Sequence, residues 1–181
     1  DVAKHHSDLS FEDAMKEVRL RRQRIRDEES PEEIEKHWLK LIKGHAKFVS
    51  KNTLSIDEKE KITWKKIIIS TGSSPIIHEI EWLKSEDILT NETVFEIEKK
   101  PKKLVVIWGG YIWAELSESF LDLWVDTTLI QRNKYLIPRE EAEASDILQK
   151  HFEEKGMKIE CNTLVKEAHY EAWKKYLMVI D

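Results

Sequence analysis

The chain has 181 residues, 36% of them charged, a net charge of −5 and one cysteine. That length supports one good core or two small ones, the mild acidity leaves no basic stripe for nucleic acid, and no apolar run reaches the roughly 18 residues of a membrane span. A lone cysteine excludes an internal disulfide framework and fits a reducing compartment, so a soluble cytoplasmic protein is expected.

His5 and His6 beside Asp8 lack a third ligand at helical or hairpin spacing, so no metal site is expected. Residues 10 to 29 read as a helix, with Ser10 as N-cap, Glu12 and Asp13 in the first turn, and Phe11, Ala14, Met15, Val18 and Ile25 at helical spacing. Its five arginines between Arg19 and Arg26 read as a solvated face rather than a phosphate site. Ser30-Pro31-Glu32-Glu33 restarts a helix, with proline at the first helical position and a capping box. From Lys40 to Ile69 short strands are expected in KLIKGHAKFV, TLSI and KIIIS. A loop and a short helix follow from Ile76, and Pro101 marks a boundary.

Leu104-Val105-Val106-Ile107 has the β-branched composition of a strand buried on both faces of a parallel sheet. A helical pattern runs from Ile112 to Leu123, and Val125 to Ile130 reads as the next strand. Strand, turn, helix and strand open a dinucleotide-binding unit, whose turn ordinarily spells G-x-G-x-x-G. Here the three places fall on Trp108, Gly110 and Trp113, so only the middle glycine remains. Gln131, 21 residues after Gly110, stands near the offset of the usual ribose-binding acid, and Arg132 follows it. Loss of the carboxylate and gain of a cation suit a 2′-phosphate, favouring NADPH over NADH.

The chain has 5 glycines where about 13 would be average, and it has 7 tryptophans. Trp38 and Trp124 stand at helix exits, Trp173 at a hairpin turn, and Trp64 and Trp82 in polar stretches beside strands. These tryptophans read as glycines decoded under the wrong code, since UGA is glycine in some bacterial lineages and tryptophan in another code. If they are genuine, the dinucleotide turn cannot close.

With glycine at these places the stretch becomes VVIGGGYIGAELSESFLDLGVDTTLIQRNKYLIPRE, which resembles the FAD-dependent pyridine nucleotide-disulfide oxidoreductases, the family of dihydrolipoamide dehydrogenase and mercuric reductase. GHAKFVSKNTL, KKIIISTGSSP and LIPREEAEASDILQKHFEEKGMKI are similar to family segments in the family's order, and Gln131-Arg132 with LIPRE is most similar to the mercuric-reductase-like branch. The resemblance implies an α/β, Rossmann-like two-domain fold in partial form. Residues 1–96 would be the later part of an FAD-binding domain and residues 97–181 the first half of an NAD(P)-binding domain, together an internal fragment of a longer enzyme.

By the same resemblance, Gly44, His45 and Ala46 meet the FAD adenine, and Ser70-Thr71-Gly72-Ser73 closes the FAD domain against the flavin nucleotide. Gly109 and Gly110 form the phosphate turn, Tyr111 gates the nicotinamide, Glu115 sits by the flavin, and Gln131 and Arg132 take the adenosine ribose. The implied cofactors are FAD and NAD(P)H. The implied reaction passes hydride to flavin and electrons to a small-molecule or protein disulfide or a metal ion, in a parent enzyme expected to be a homodimer. The family's cysteine pair and C-terminal His-Glu pair are not in this sequence, and Cys161 reads as a packing residue on a third strand. A flavin-dependent NAD(P)H oxidase without the cysteine pair stays open. So does a catalytically inactive interaction or scaffold protein, should the tryptophans be genuine.

Overall fold

The computed structural model describes residues 10–172 and 174–180. His5, His6, Asp8 and Trp173 lie outside the described residues. The chain divides into two compact units, one of Leu20–Ser74 and one made of Pro75 onward together with the start of the first helix as far as Arg19. The domains expected from the sequence, 1–96 and 97–181, are drawn on cofactor binding and not on compactness. The stretch after Pro75 belongs with the later unit because Val94, Phe95 and Ile97 pack in the same core as Phe120 and Val125.

Helix α1 spans Phe11–Glu28. It starts where expected: Ser10 Oγ accepts the N–H of Asp13 at 3.1 Å and donates to Asp13 Oδ2 at 2.7 Å. Helix α2, Pro31–Lys36, is capped by Ser30, whose hydroxyl accepts the N–H of Glu33 at 3.3 Å. Three antiparallel strands follow in sequence order: β1 (Ala46–Ser50), β2 (Thr53–Ile56) and β3 (Glu60–Thr63). The β2–β3 turn passes through Asp57 and Glu58, both left-handed with φ of 48° and 59°, and the Lys59 N–H closes it on the Ile56 carbonyl at 2.9 Å. The strand expected at Ile67–Ile69 is not formed, and Ile68 and Ile69 are exposed. A strand exists by pairing, and β1–β3 pair only among themselves.

The later unit is built on a parallel sheet ordered β4 (Lys103–Ile107), β5 (Asp126–Ile130) and β6 (Lys158–Glu160). Helix α3 (Tyr111–Asp122) crosses from β4 to β5 and helix α4 (Ala142–Glu154) from β5 to β6. This is the βαβαβ half expected from residues 97 onward, in register from Lys103 opposite Asp126 to Ile107 opposite Ile130. One cluster gathers Phe11, Met15, Val94, Phe120 and Val125, and another gathers Ala114, Leu129, Leu136, Phe152 and Met157. Burial of these apolar side chains is the main stabilising term.

β4 differs from its expected role. It is an edge strand with only Val106 fully buried, and its other face, with Val105 42% exposed, opens onto an apolar cavity of about 370 Å³. The composition of a doubly covered strand is present, but nothing among the described residues pairs with its free edge.

A hairpin of β7 (Leu164–Glu171) and β8 (Lys174–Ile180) completes the unit. Two 3-10 turns, Ser85–Asp87 and Val94–Glu96, replace the helix expected after Ile76. The first receives the hairpin: Tyr170 donates to Asp87 Oδ2 at 2.8 Å and Lys175 pairs with the same carboxylate. These bonds, that of Lys175 first, hold the Asp87 carboxyl below its usual range.

Glu118 on α3 joins the helices, accepting from Lys155 at 2.8 Å and meeting His151 Nε2 at 2.8 Å. Lys155 first, then His151, lower its pKa. A carboxyl depressed in the folded state contributes stability above the unfolded carboxylate pKa of about 4.3 and loses it as pH falls through the folded value. Glu118→Gln is therefore expected to lower stability at pH 7 by a few tenths to about 1 kcal/mol, the pair being partly exposed. Melting curves against pH check this, because the gap to the parent chain should close on acidification below about pH 4.

Candidate functional site

Ligands of doubly wound sheets sit beyond the carboxyl ends of the parallel strands, and this sheet carries its polar groups there. At the end of β4 the Trp108 N–H donates to the Ile130 carbonyl at 2.8 Å, tying the turn to the end of β5. Gly109 comes next and is buried: a Cβ there would lie 2.6 Å from Leu136 Cδ2, so a larger residue would have to displace the buried Leu136 side chain. Its carbonyl accepts the N–H of Ile137 at 2.6 Å, which folds the loop after β5 back over the turn. Gly110 then caps α3 with open space around its Cα and no side-chain cap on the first amides. Those amides and the helix dipole favour an anion.

Gly110, Tyr111, Gln131 and Arg132 border one cavity of about 360 Å³. Four of the expected residues thus meet at one place, and Gly109 precedes Gly110 in the same turn. Gln131 is buried at the end of β5, its N–H donating to Glu160 O at 2.7 Å and its carbonyl accepting from Thr163. Arg132 is exposed at the rim. Tyr111 donates to Glu140, and that bond raises the phenol pKa above its usual value. Glu115 is exposed in the second turn of α3.

Sequence reasoning missed Arg139 and His78, both of which border the cavity. Arg139 lies in the LIPRE run, and the Ile137 bond to Gly109 is what returns it to the turn. The pocket therefore carries two guanidiniums, while the nearby Glu140 is engaged by Tyr111. His78 stacks edge-on to Trp108 with ring centroids 4.8 Å apart.

For a pyridine nucleotide the donor set fits and the turn does not. Amides, arginines and a glycine with free space suit phosphate groups. Trp108, at φ 84° on the cavity wall, puts an indole where the pyrophosphate needs bare backbone. Trp113 lies inside α3 with no left-handed backbone, and Ser117 Oγ donates to its carbonyl at 2.6 Å.

The remaining expected residues belong to the other unit. Gly44 makes a close approach, a Cβ there falling 2.5 Å from Ile56 Cγ2. His45 spends its N–H on Asp57 Oδ1 at 2.8 Å and its carbonyl on the Asp57 N–H, so its backbone is engaged within the chain. Ala46 is exposed and pairs with Ile56. Thr71, Gly72 and Ser73 are exposed, with Gly72 left-handed at φ 66°. These residues are all exposed within that unit, so no chemical step is derived through FAD. Among the described residues no group of three or more metal-ligating side chains is found, and no helix is long and apolar enough to cross a membrane. Cys161 lies just past β6, packed on the Leu129 cluster. Burial first, then Glu153 and Glu160, pushes its thiol up and away from nucleophilic use.

The family model of the pyridine nucleotide-disulphide oxidoreductases matches residues 8–178. The mercuric reductase of Lysinibacillus sphaericus is 36% identical over 147 residues, covering 81% of this chain and 26% of that protein. The dihydrolipoyl dehydrogenase of Geobacillus stearothermophilus is 33% identical over 134 residues, covering 72% of this chain and 28% of that one. The chain thus spans about a quarter of the length of the curated relatives it matches. In fold it is similar to a copper complex of the HOCl-induced flavoprotein disulfide reductase of Escherichia coli, with a TM-score of 0.78 at 19% identity over 97% of this chain and 42% of that one. A parallel βαβαβ half, and a family match along almost the whole chain, make this protein a member of the pyridine nucleotide-disulphide oxidoreductases.

Proposed function

We propose that the chain is part of a flavoprotein reductase that passes hydride from NAD(P)H to FAD and electrons on to a disulfide or metal-ion acceptor. The cavity at the end of β4 takes the adenosine end of NADPH. In this reading residues 1–96 belong to an FAD-binding domain, with Gly44, His45, Ala46, Thr71, Gly72 and Ser73 toward the flavin nucleotide, and residues 97–181 to an NAD(P)-binding domain. The parent enzyme is a cytoplasmic homodimer. Tyr111 gates the nicotinamide and Glu115 stands near the flavin. The acceptor end lies outside this chain, whose one cysteine is a half-buried thiol with a raised pKa.

The observation that carries the reading is the meeting of Gly110, Arg132 and Arg139 around one cavity at the N-terminus of α3. Two guanidiniums and free helix amides recognise phosphate, and the absence of a carboxylate at residue 131 leaves room for a charged ribose. Adenosine 2′-phosphate tests this without crossing the Trp108 turn. Titrated into the chain and followed by amide chemical shifts, it should move Gly110, Arg132 and Asn133 saturably, and adenosine alone should move them far less. Equal shifts with both compounds, or shifts confined elsewhere, would remove the support for a 2′-phosphate site.

A further inference from the structure

We infer that positions 38, 82, 108 and 124 are glycine in the working protein. The inference is independent of the nucleotide reading, because it rests on backbone geometry at four separate places. Nine non-glycine residues have positive φ among the described residues, and four of them are tryptophan: Trp38 at 63°, Trp82 at 65°, Trp108 at 84° and Trp124 at 57°. Left-handed backbone is the ordinary place of glycine, tolerable for Asn and Asp, and an outlier for a bulky side chain.

Each position has a local reason to be left-handed. At the end of α3 the Trp124 N–H donates to the Leu121 carbonyl at 2.8 Å and the Val125 N–H to the Phe120 carbonyl at 3.1 Å. That pair of bonds is a Schellman motif, with Trp124 at its left-handed residue. Helix α4 ends the same way, the Gly156 N–H donating to Glu153 and the Met157 N–H to Phe152, and there the residue is glycine at φ 94°. The same chain thus places glycine at one helix end and tryptophan at its equivalent. At residues 80–83 the Leu83 N–H closes a turn on the Ile80 carbonyl at 3.1 Å, with Trp82 third in the turn, where type II turns take glycine. Trp38 follows α2 as its left-handed exit, donating to the Glu35 carbonyl at 3.1 Å.

Strain is retained at functional sites only where packing holds it, and here packing does not. Trp38 is 98% exposed, Trp82 74% and Trp124 62%. Lys100 Nζ at 5.9 Å from the Trp124 ring is at the outer limit of a cation–π contact. No indole at these three places fills a core. One codon, read as glycine in the cell and as tryptophan in translation of the gene, accounts for all four.

Peptide mass spectrometry on the protein from the cells that make it tests this. The tryptic peptides His37–Lys40, Ile67–Lys84 and Leu104–Arg132 together contain the four positions. Glycine at all four is expected, and tryptophan at any of them overturns the inference. A second measurement uses the chain as written: Trp124→Gly should melt about 2–4 °C above Trp124→Ala, since both remove the indole and only glycine relieves the left-handed strain. An alanine variant that melts as high as the glycine variant also overturns it.

Discussion

Replacing Trp108 by glycine is expected to tighten NADPH binding to this chain by about ten- to a hundred-fold, a gain of roughly 1.4–2.8 kcal/mol. The reason is positional. Trp108 is the first residue of the turn, its N–H is already committed to Ile130, and it shares the cavity wall with His78 and Gly110. A pyrophosphate approaching the α3 amides meets the indole before it meets the backbone. Displacing that ring breaks its contact with His78 and forces a new rotamer, so part of the binding energy goes to rearrangement. Trp124→Gly is the matched control, because it relieves the same left-handed strain at the far end of the helix, outside the cavity. Calorimetric titration of the chain and both variants separates the cases. Equal affinities for all three would mean that the turn does not carry the nucleotide.

The second large effect is expected at Arg132. Arg132→Glu should weaken NADPH by about ten- to a hundred-fold, the range for a hydrogen bond between charged partners, and leave NADH within a few-fold. The side chain is exposed, so the substitution has little core to disturb, and its effect should shrink with added salt over the 50–500 mM range. Arg139→Ala should act in the same direction and more weakly, since it removes a charge without reversing it. NADPH and NADH falling together would instead mean that Arg132 serves the loop's shape.

Much of this was legible in the sequence, for physical reasons that also mark where it failed. α3 and β5 could be read because their apolar periods differ cleanly, 3.6 against a β-branched run, and the caps of α1 and α2 because Ser10 and Ser30 are local devices. Pairing is not local, so Ile67–Ile69 could be read as a strand while the described chain offers it no neighbour. Likewise Leu104–Ile107 could be read as doubly buried while β4 stands at an edge. At the site, Gly110 and Arg132 were found because spacing from a strand end fixes them. Arg139 was missed because only the bond from Ile137 to Gly109 returns it to the turn, and no offset along the chain announces that. His78 was missed for the same reason: its relation to Trp108 is tertiary.

The most direct test is where NADPH contacts the protein. Intermolecular NOEs collected on the Trp108→Gly chain with saturating NADPH would locate it. Adenosine ribose contacts to Gln131, Arg132 and Asn133 are expected, with pyrophosphate-adjacent protons near the amides of Gly110 and Tyr111. Contacts confined to the apolar cavity along β4, or none at this turn, would contradict this.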